Sequence, residues 1–215
     1  MKKIGIVGWN QGENSFGASK SYLNWLGQFG IVHILTPQSG IVPDLDLLVL
    51  PGGADLAPQS YGEVPGYYTG NTDVMKQYFY DNNLDKYINS GIPIFGICLG
   101  FQQLCAKFGG ILLQHEYYPH STKHRGELVE KMFFNAQSSA HEFLDSGVLP
   151  AGKQIYEINS IHHQGCVNLP KTVEILGTSA YNNIEAARFA ENIFGTQYHP
   201  EEFNDEFASN IINYL

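Results

Sequence analysis

The 215-residue chain predicts a single α/β domain, residues 1–215, with a doubly wound, mostly parallel central sheet flanked by helices. Three observations predict it. Short apolar runs such as Leu47-Leu48-Val49-Leu50 and Ile92-Pro93-Ile94-Phe95-Gly96-Ile97 lack the in-out alternation of a half-exposed strand, as parallel strands buried on both faces do. Stretches of helical spacing separate these runs. No repeat, linker or charge block divides the chain.

The elements follow in order. Ile4 to Trp9 reads as a buried strand, and the polar loop from Asn10 to Asn14 leads to a helix over about residues 18–29. Residues 32–35 make a second strand, and residues 47–50 a third that Pro51-Gly52-Gly53 ends abruptly. A loop rich in Tyr, Pro and Gly (58–70) precedes helical spacing over 73–88. The strand at 92–97 then runs into Cys98, and 99–108 is helical. The second half is more strand-like, with strands at 155–158, 172–178, 184–189 and 193–198 before a final helix over about 205–214.

Composition narrows the function. Twelve Lys and Arg against 21 Asp and Glu give a net charge of −9, and the only arginines are Arg125 and Arg188. Nucleic acids and anionic membrane surfaces need gathered cations, so neither is an expected partner. The apolar run after Met1-Lys2-Lys3 is too short and too Gly-rich for a secretory leader, and no stretch approaches a membrane span. Three cysteines (98, 105 and 166) cannot all pair, and none sits in a Cys-x-x-Cys, so a reducing cytoplasm is the expected setting.

The sharpest local pattern is Gly96-Ile97-Cys98-Leu99-Gly100, between a buried strand and a helix. Flanking glycines allow the strained turn that lifts a nucleophile out of a sheet, and a helix N-terminus favours the attacking thiolate. A buried cysteine beside a Gly-rich turn fits the same residues. A thiol nucleophile needs a base. His199 follows the 193–198 strand, at the edge where α/β sites lie. Pro200 stiffens the chain so that Glu201 can fold back onto the imidazole and orient it. The alternative for His199-Pro200-Glu201-Glu202 is a turn capping the last helix, with Glu202 as the capping acid. Pro51-Gly52-Gly53-Ala54 can present backbone N–H groups to an oxyanion, or it is a plain tight turn.

Together these three elements resemble the class I glutamine amidotransferase superfamily, whose domain is a flavodoxin-like α/β fold. Further stretches resemble its peptidase C26-like γ-glutamyl hydrolase branch. They are Pro51-Gly52-Gly53-Ala54-Asp55-Leu56-Ala57-Pro58 with Tyr61-Gly62-Glu63, and Gly109-Gly110-Ile111-Leu112-Leu113-Gln114. Asn159-Ser160-Ile161-His162-His163-Gln164, Ile184-Glu185-Ala186 and Gly195-Thr196-Gln197-Tyr198-His199-Pro200-Glu201 complete the set, spanning roughly residues 4 to 202.

The resemblance implies Cys98 as nucleophile, His199 as general base then acid, and Glu201 as its orienter. It also implies an oxyanion held by Leu99 N–H and an amide from Gly52, Gly53 or Ala54, and a glutamyl moiety bound by Gln102, His163 and Gln164. The implied chemistry is attack on a small γ-glutamyl amide, loss of the amine, and hydrolysis of a γ-glutamyl thioester, with neither cofactor nor metal. The implied alternative is a glutaminase subunit supplying ammonia to a partner synthetase. Two departures leave the amine open: Leu99 stands where the hydrolase branch often has Arg, and residues 71–89 are rich in Tyr, Asn and Phe rather than acids and Arg.

Other residues invite other readings. His115, His120 and His124 fit no compact zinc spacing and read as a loop over the site. Cys105 reads as core and Cys166 as a bystander, while Tyr61, Tyr67 and Tyr68 read as part of the amine pocket or, more simply, as a packed surface loop. Lys123 and Arg125 are the candidate cations to gather around an anionic leaving group. A non-enzymatic scaffold and a cysteine redox sensor are weaker alternatives, and self-association as a homodimer stays open.

Overall fold

The structure, a computed structural model, describes residues 1–42, 44–115, 129–134, 155–203 and 205–215. In chain order the elements are β1 (Lys2–Val7), β2 (Trp9–Asn10), β3 (Phe16–Gly17), α1 (Lys20–Leu26), β4 (Gly30–Leu35), β5 (Leu47–Leu50), α2 (Val74–Asn82) and α3 (Leu84–Ser90). They continue with β6 (Ile94–Ile97), α4 (Leu99–Lys107), β7 (Ile111–Leu113), β8 (Val129–Phe134), β9 (Ile155–Asn159) and β10 (Gly165–Asn168). The chain closes with β11 (Glu174–Ser179), β12 (Ile184–Ala190), β13 (Ile193–Thr196) and α5 (Glu206–Tyr214).

Among the described residues, nine strands form the central sheet in the order β4-β1-β5-β6-β13-β12-β11-β8-β9. The first five run parallel. The last four join them as an antiparallel meander. The sheet is therefore mixed, and β7 and β10 make a separate two-stranded ribbon.

The apolar runs sit where strands are covered on both sides. Along β5, Leu47 and Val49 face one cluster with Ile4, Ile6, Phe95 and Ile97, against Trp25 of α1 and Phe207 and Ile211 of α5. Leu48 and Leu50 face the other, against Phe79 of α2, Tyr87 of α3 and Leu104 of α4. Each such side chain contributes about 1.5–3 kcal/mol on full burial, so both helix layers are held chiefly by this packing.

The helical spacing read over 73–88 resolves into two helices. The break falls at Asn83, whose Nδ2 donates to the Pro37 carbonyl at 2.7 Å. Asp73 caps α2, accepting from the N–H groups of Met75 and Lys76 at 3.0 and 3.2 Å. At the last helix the cap is Asp205, which accepts from Phe207 N and Ala208 N. Glu202, read as the capping acid, instead sits in a 3-10 turn, Pro200–Glu202, and lines the main cavity.

Candidate active site

Three adjacent parallel strands, β5, β6 and β13, end at the same edge of the sheet. Leu50 lies opposite Gly96, and Ile97 opposite Thr196. The residues following each strand therefore meet: Pro51-Gly52-Gly53 after β5, Cys98 after β6, and His199 shortly after β13. This convergence follows from strand order alone and places the three sequence signals at one point.

Cys98 occupies a backbone conformation that L residues rarely adopt, with φ 51° and ψ −103°. Such a residue stores about 1–3 kcal/mol of strain that the surroundings must hold. Cys98 N–H donates to the Thr196 carbonyl at 2.8 Å, while Gln102 N–H donates to the Cys98 carbonyl at 3.0 Å to start α4. Leu99 opens that helix, so its N–H belongs to the first turn, where amides have no intrahelical acceptor. Gly100 lets the turn pass under β5: a Cβ there would meet the Leu50 carbonyl oxygen at 2.2 Å.

His199 lies beside Cys98, and its Nδ1 is 2.7 Å from Glu201 Oε1. Glu201 is buried to 1% side-chain exposure. Burial, the largest single influence on the imidazole, lowers its proton affinity. The charge of Cys98 and hydrogen bonds to Cys98 and Glu201 outweigh it, raising His199 from 6.5 to about 10. The environment thus favours an imidazolium, with the second face of the ring tied to Glu201.

Backbone and supporting groups fix this arrangement. The Gly52 N–H donates to the Tyr22 hydroxyl at 2.8 Å. A Cβ on Gly52 would fall 2.6 Å from His199 Cε1, so the turn approaches the imidazole this closely only as a glycine. Tyr198 hydroxyl donates to Asp205 at 2.6 Å, anchoring the residue before His199.

Two cavities meet at Cys98. The larger, about 550 Å³, is bordered by Trp9, Tyr22, Lys76, Ile161, His199 and Glu202 as well as Gly52, Gly53 and Ala54. The smaller, about 120 Å³, is bordered by Gly53, Ala54, Asp55, Gln102, His163 and Gln164. Every residue singled out from the sequence for catalysis, oxyanion contact or glutamyl contact therefore lies on one of the two or, for Leu99, next to Cys98. Gln102 is largely spent on structure, since its Nε2 donates to the Gln164 carbonyl at 3.0 Å and to Gln197 Oε1 at 3.3 Å. His163 pairs with Asp55 at 2.9 Å, and Asp55 also accepts from Gly70 N–H at 2.6 Å.

His115 stacks on Tyr68 with centroids 4.3 Å apart and reaches His163 at 3.4 Å, Nδ1 to Nδ1. Among the described residues no group of three His, Cys, Asp or Glu side chains is placed to hold a metal ion. His120, His124, Lys123 and Arg125 lie outside the described residues. Tyr67 is 94% exposed, as a surface loop requires, and Cys105 and Cys166 are both fully buried. All three cysteines are free thiols. No helix among the described residues is long and apolar enough to cross a membrane.

Sequence reasoning missed Tyr22, Lys76 and Asn159. Only Asn159 carried a local signal, as the first residue of the Asn-Ser-x-His-His-Gln stretch. Lys76 borders the larger cavity, and its helical register from Asp73 shows its place only once the path of α2 is known.

The sheet and the site at its edge are of the glutamine amidotransferase-like type. The chain belongs to the Peptidase C26 family, which matches residues 18–201. It is 31% identical over 159 residues to the glutamine amidotransferase-like protein YvdE of Lactococcus lactis, covering 73% of this chain and 66% of that protein. It is 28% identical over 169 residues to a glutamine-hydrolysing GMP synthase subunit of Methanococcus aeolicus, covering 76% and 79% of the two chains. The fold is similar to that of a glutamine amidotransferase from Thermotoga maritima, with a TM-score of 0.61, 17% identity, and 93% and 76% of the two chains covered.

Proposed function

We propose that the chain hydrolyses the amide bond of a small γ-glutamyl compound, with Cys98, His199 and Glu201 as its catalytic triad. One observation carries the reading: a strained cysteine at a strand-helix turn faces an imidazole whose far nitrogen is 2.7 Å from a buried carboxylate.

The thiolate of Cys98 attacks the amide carbonyl carbon, forming the S–C bond while the carbonyl π electrons move to oxygen. The amides of Leu99 and of Gly53 or Ala54 receive that oxyanion, since the Gly52 N–H is engaged by Tyr22. Collapse of the adduct breaks the C–N bond, and His199 gives its proton to the departing amine. Water then attacks the thioester, His199 takes its proton, and S–C cleavage returns the thiolate and releases glutamate. The 120 Å³ cavity, with Gln102, His163 and Gln164, suits the glutamyl half, and the 550 Å³ cavity suits the amine.

A second reading is a glutaminase subunit that passes ammonia to a synthetase. The similarity to the GMP synthase subunit of Methanococcus aeolicus favours it. So does Leu99-Gly100-Phe101-Gln102, where the hydrolase branch often has Arg after the nucleophile. The free thiols and acidic balance fit a reducing cytoplasm under both readings.

The test is glutamate release by the purified chain, offered glutamine and a panel of γ-glutamyl amines and amides, beside Cys98→Ala. Turnover of a panel member well above glutamine, abolished in the variant, supports the stand-alone hydrolase. Silence with rapid alkylation of Cys98 at neutral pH favours the partner-gated glutaminase. Silence with a sluggish thiol overturns the catalytic reading.

A further inference from the structure

Lys76 is 4% exposed, and its ammonium, paired with Asp73, lies closer still to a backbone carbonyl. Nζ is 2.6 Å from the Gly52 carbonyl oxygen and 3.7 Å from Asp73 Oδ2, with the Trp9 ring centred 4.1 Å away. A buried ammonium is costly to desolvate, and the closest partner of this one is a backbone carbonyl of the turn after β5 rather than the cap of its own helix. The Gly52 carbonyl belongs to the same peptide unit as the Gly53 N–H. Gly53 borders both cavities at Cys98, and a Cβ on it would strike Lys76 Nζ at 2.8 Å and Leu99 Cδ2 at 2.8 Å. Withdrawing charge from a carbonyl oxygen strengthens the donor at the other end of its peptide.

We propose that Lys76 is a positioning residue for hydrolysis: its ammonium holds and polarises the Gly52–Gly53 peptide, so that the Gly53 N–H is a fixed, strengthened donor to the developing oxyanion. This rests on the reading of Cys98 as a nucleophile toward an acyl carbon. From the other side, Tyr22 accepts from the Gly52 N–H, so both ends of residue 52 are held by side chains from different helices.

The device is pH-sensitive in one direction. Burial, the dominant influence, pulls the Lys76 ammonium down from 10.5 to about 8, against the opposing pull of Asp73 and Cys98. The other titratable groups on the same cavity are Tyr22, His199, Glu201 and Glu202. The peptide is therefore polarised below about pH 8, and the effect fades as pH rises through that value, before His199 loses its proton near 10.

The experiment compares the full chain with Lys76→Met and Lys76→Arg, using L-γ-glutamyl-p-nitroanilide for turnover and iodoacetamide for Cys98 reactivity. Lys76→Met is expected to lower kcat about 10- to 100-fold, somewhat less than loss of an oxyanion donor, with KM and the alkylation rate each within about threefold. Alkylation makes no oxyanion, so it separates the two roles. Lys76→Arg is expected to recover most of kcat and to move the alkaline limb upward from about pH 8. A Lys76→Met kcat within about threefold of the parent, or kcat and alkylation falling in proportion, overturns the inference.

The Gly53 amide resonance supplies an arm independent of turnover. In the parent chain it is expected to titrate with a midpoint near pH 8, and to lose that step in Lys76→Met. If nothing is turned over, the hydrolase reading fails and this titration still decides whether Lys76 acts on the peptide. A Gly53 amide that is flat through pH 8 in the parent overturns the inference, and that measurement stands even if Lys76→Met does not fold.

Discussion

Asn159 clasps the peptide groups of His199 from both sides. Its Oδ1 accepts from the His199 N–H at 2.8 Å, and its Nδ2 donates to the His199 carbonyl at 2.9 Å. The imidazole thus leaves a backbone fixed by a side chain on β9, near the far edge of the sheet, while Glu201 fixes its ring. Asn159→Ala removes both bonds and frees His199 to drift from Cys98. The expected result is a fall in kcat of about 100-fold, the scale on which small misplacements of a catalytic group act. Stability should fall by about 1–3 kcal/mol, as for two lost hydrogen bonds. Steady-state kinetics and urea unfolding check the two separately, and Asn159→Asp, which keeps only the acceptor, should fall between.

Two glycines at the site predict different failures. At Gly52 a methyl group would meet the His199 ring and the Tyr22 hydroxyl, both side-chain groups that can shift. Gly52→Ala should therefore fold while losing most of its activity. At Gly100 the methyl would meet the Leu50 backbone at 2.2 Å, inside the central sheet, where nothing can yield cheaply. Gly100→Ala should cost about 3 kcal/mol or more, near the top of the overpacking range, and lower Tm by roughly 6–12 °C. Thermal unfolding of both variants beside glutamate release separates the two cases.

The parallel half of the sheet was legible because burial on both faces leaves continuous apolar runs, as at residues 47–50 and 94–97. The antiparallel half was harder. β8 and β10 carry Lys, Glu or Asn among their apolar residues and sit beside loops, so neither stands out by period. The helix read over 73–88 hid its break because Asn83 is bonded to Pro37, 46 residues away, a contact no local pattern announces. At the site, Cys98, His199, Glu201 and the Gly52-Gly53 turn were readable from motif and strand ends. Tyr22 and Lys76 were not, since they reach the site from α1 and α2 only after those helices pack on opposite faces of the sheet. Glu202 was misread because a helix-start acid looks the same as a cavity acid until Asp205 is seen to cap α5.

The His199 imidazole is expected to stay protonated to about pH 10 in the parent enzyme. Burial opposes that charge, so the proton is kept by Cys98 and Glu201. Cys98→Ala removes the Cys98 share and should drop the midpoint well below 10, which the 13Cε1 resonance of His199 would report. The sign for stability follows. A folded-state value above the ordinary 6.5 gives stabilisation that is complete below pH 6.5 and is lost as pH rises toward about 10. The stability advantage of the parent over His199→Gln in urea should therefore shrink across that interval, and an advantage that grew with pH would contradict the ion-pair arrangement.

Asp205 ties the last helix to the strand that delivers His199. It accepts from the hydroxyls of Tyr156 and Tyr198 and from the N–H groups of Phe207 and Ala208. Burial pushes its carboxyl above the usual value of 3.8, against the opposing pull of these four donors. Asp205→Ala uncaps α5, worth about 0.5–2 kcal/mol, and strands the fully buried Tyr198 hydroxyl, worth about 1–3 kcal/mol. The combined loss should lower Tm by several degrees. Because Tyr198 directly precedes His199, kcat should also fall, while iodoacetamide should still reach Cys98. Asp205→Asn keeps the size of the group but offers only one acceptor oxygen to four donors. It should recover part of the stability, and recovery of all of it would show that the two tyrosines do not depend on the carboxylate.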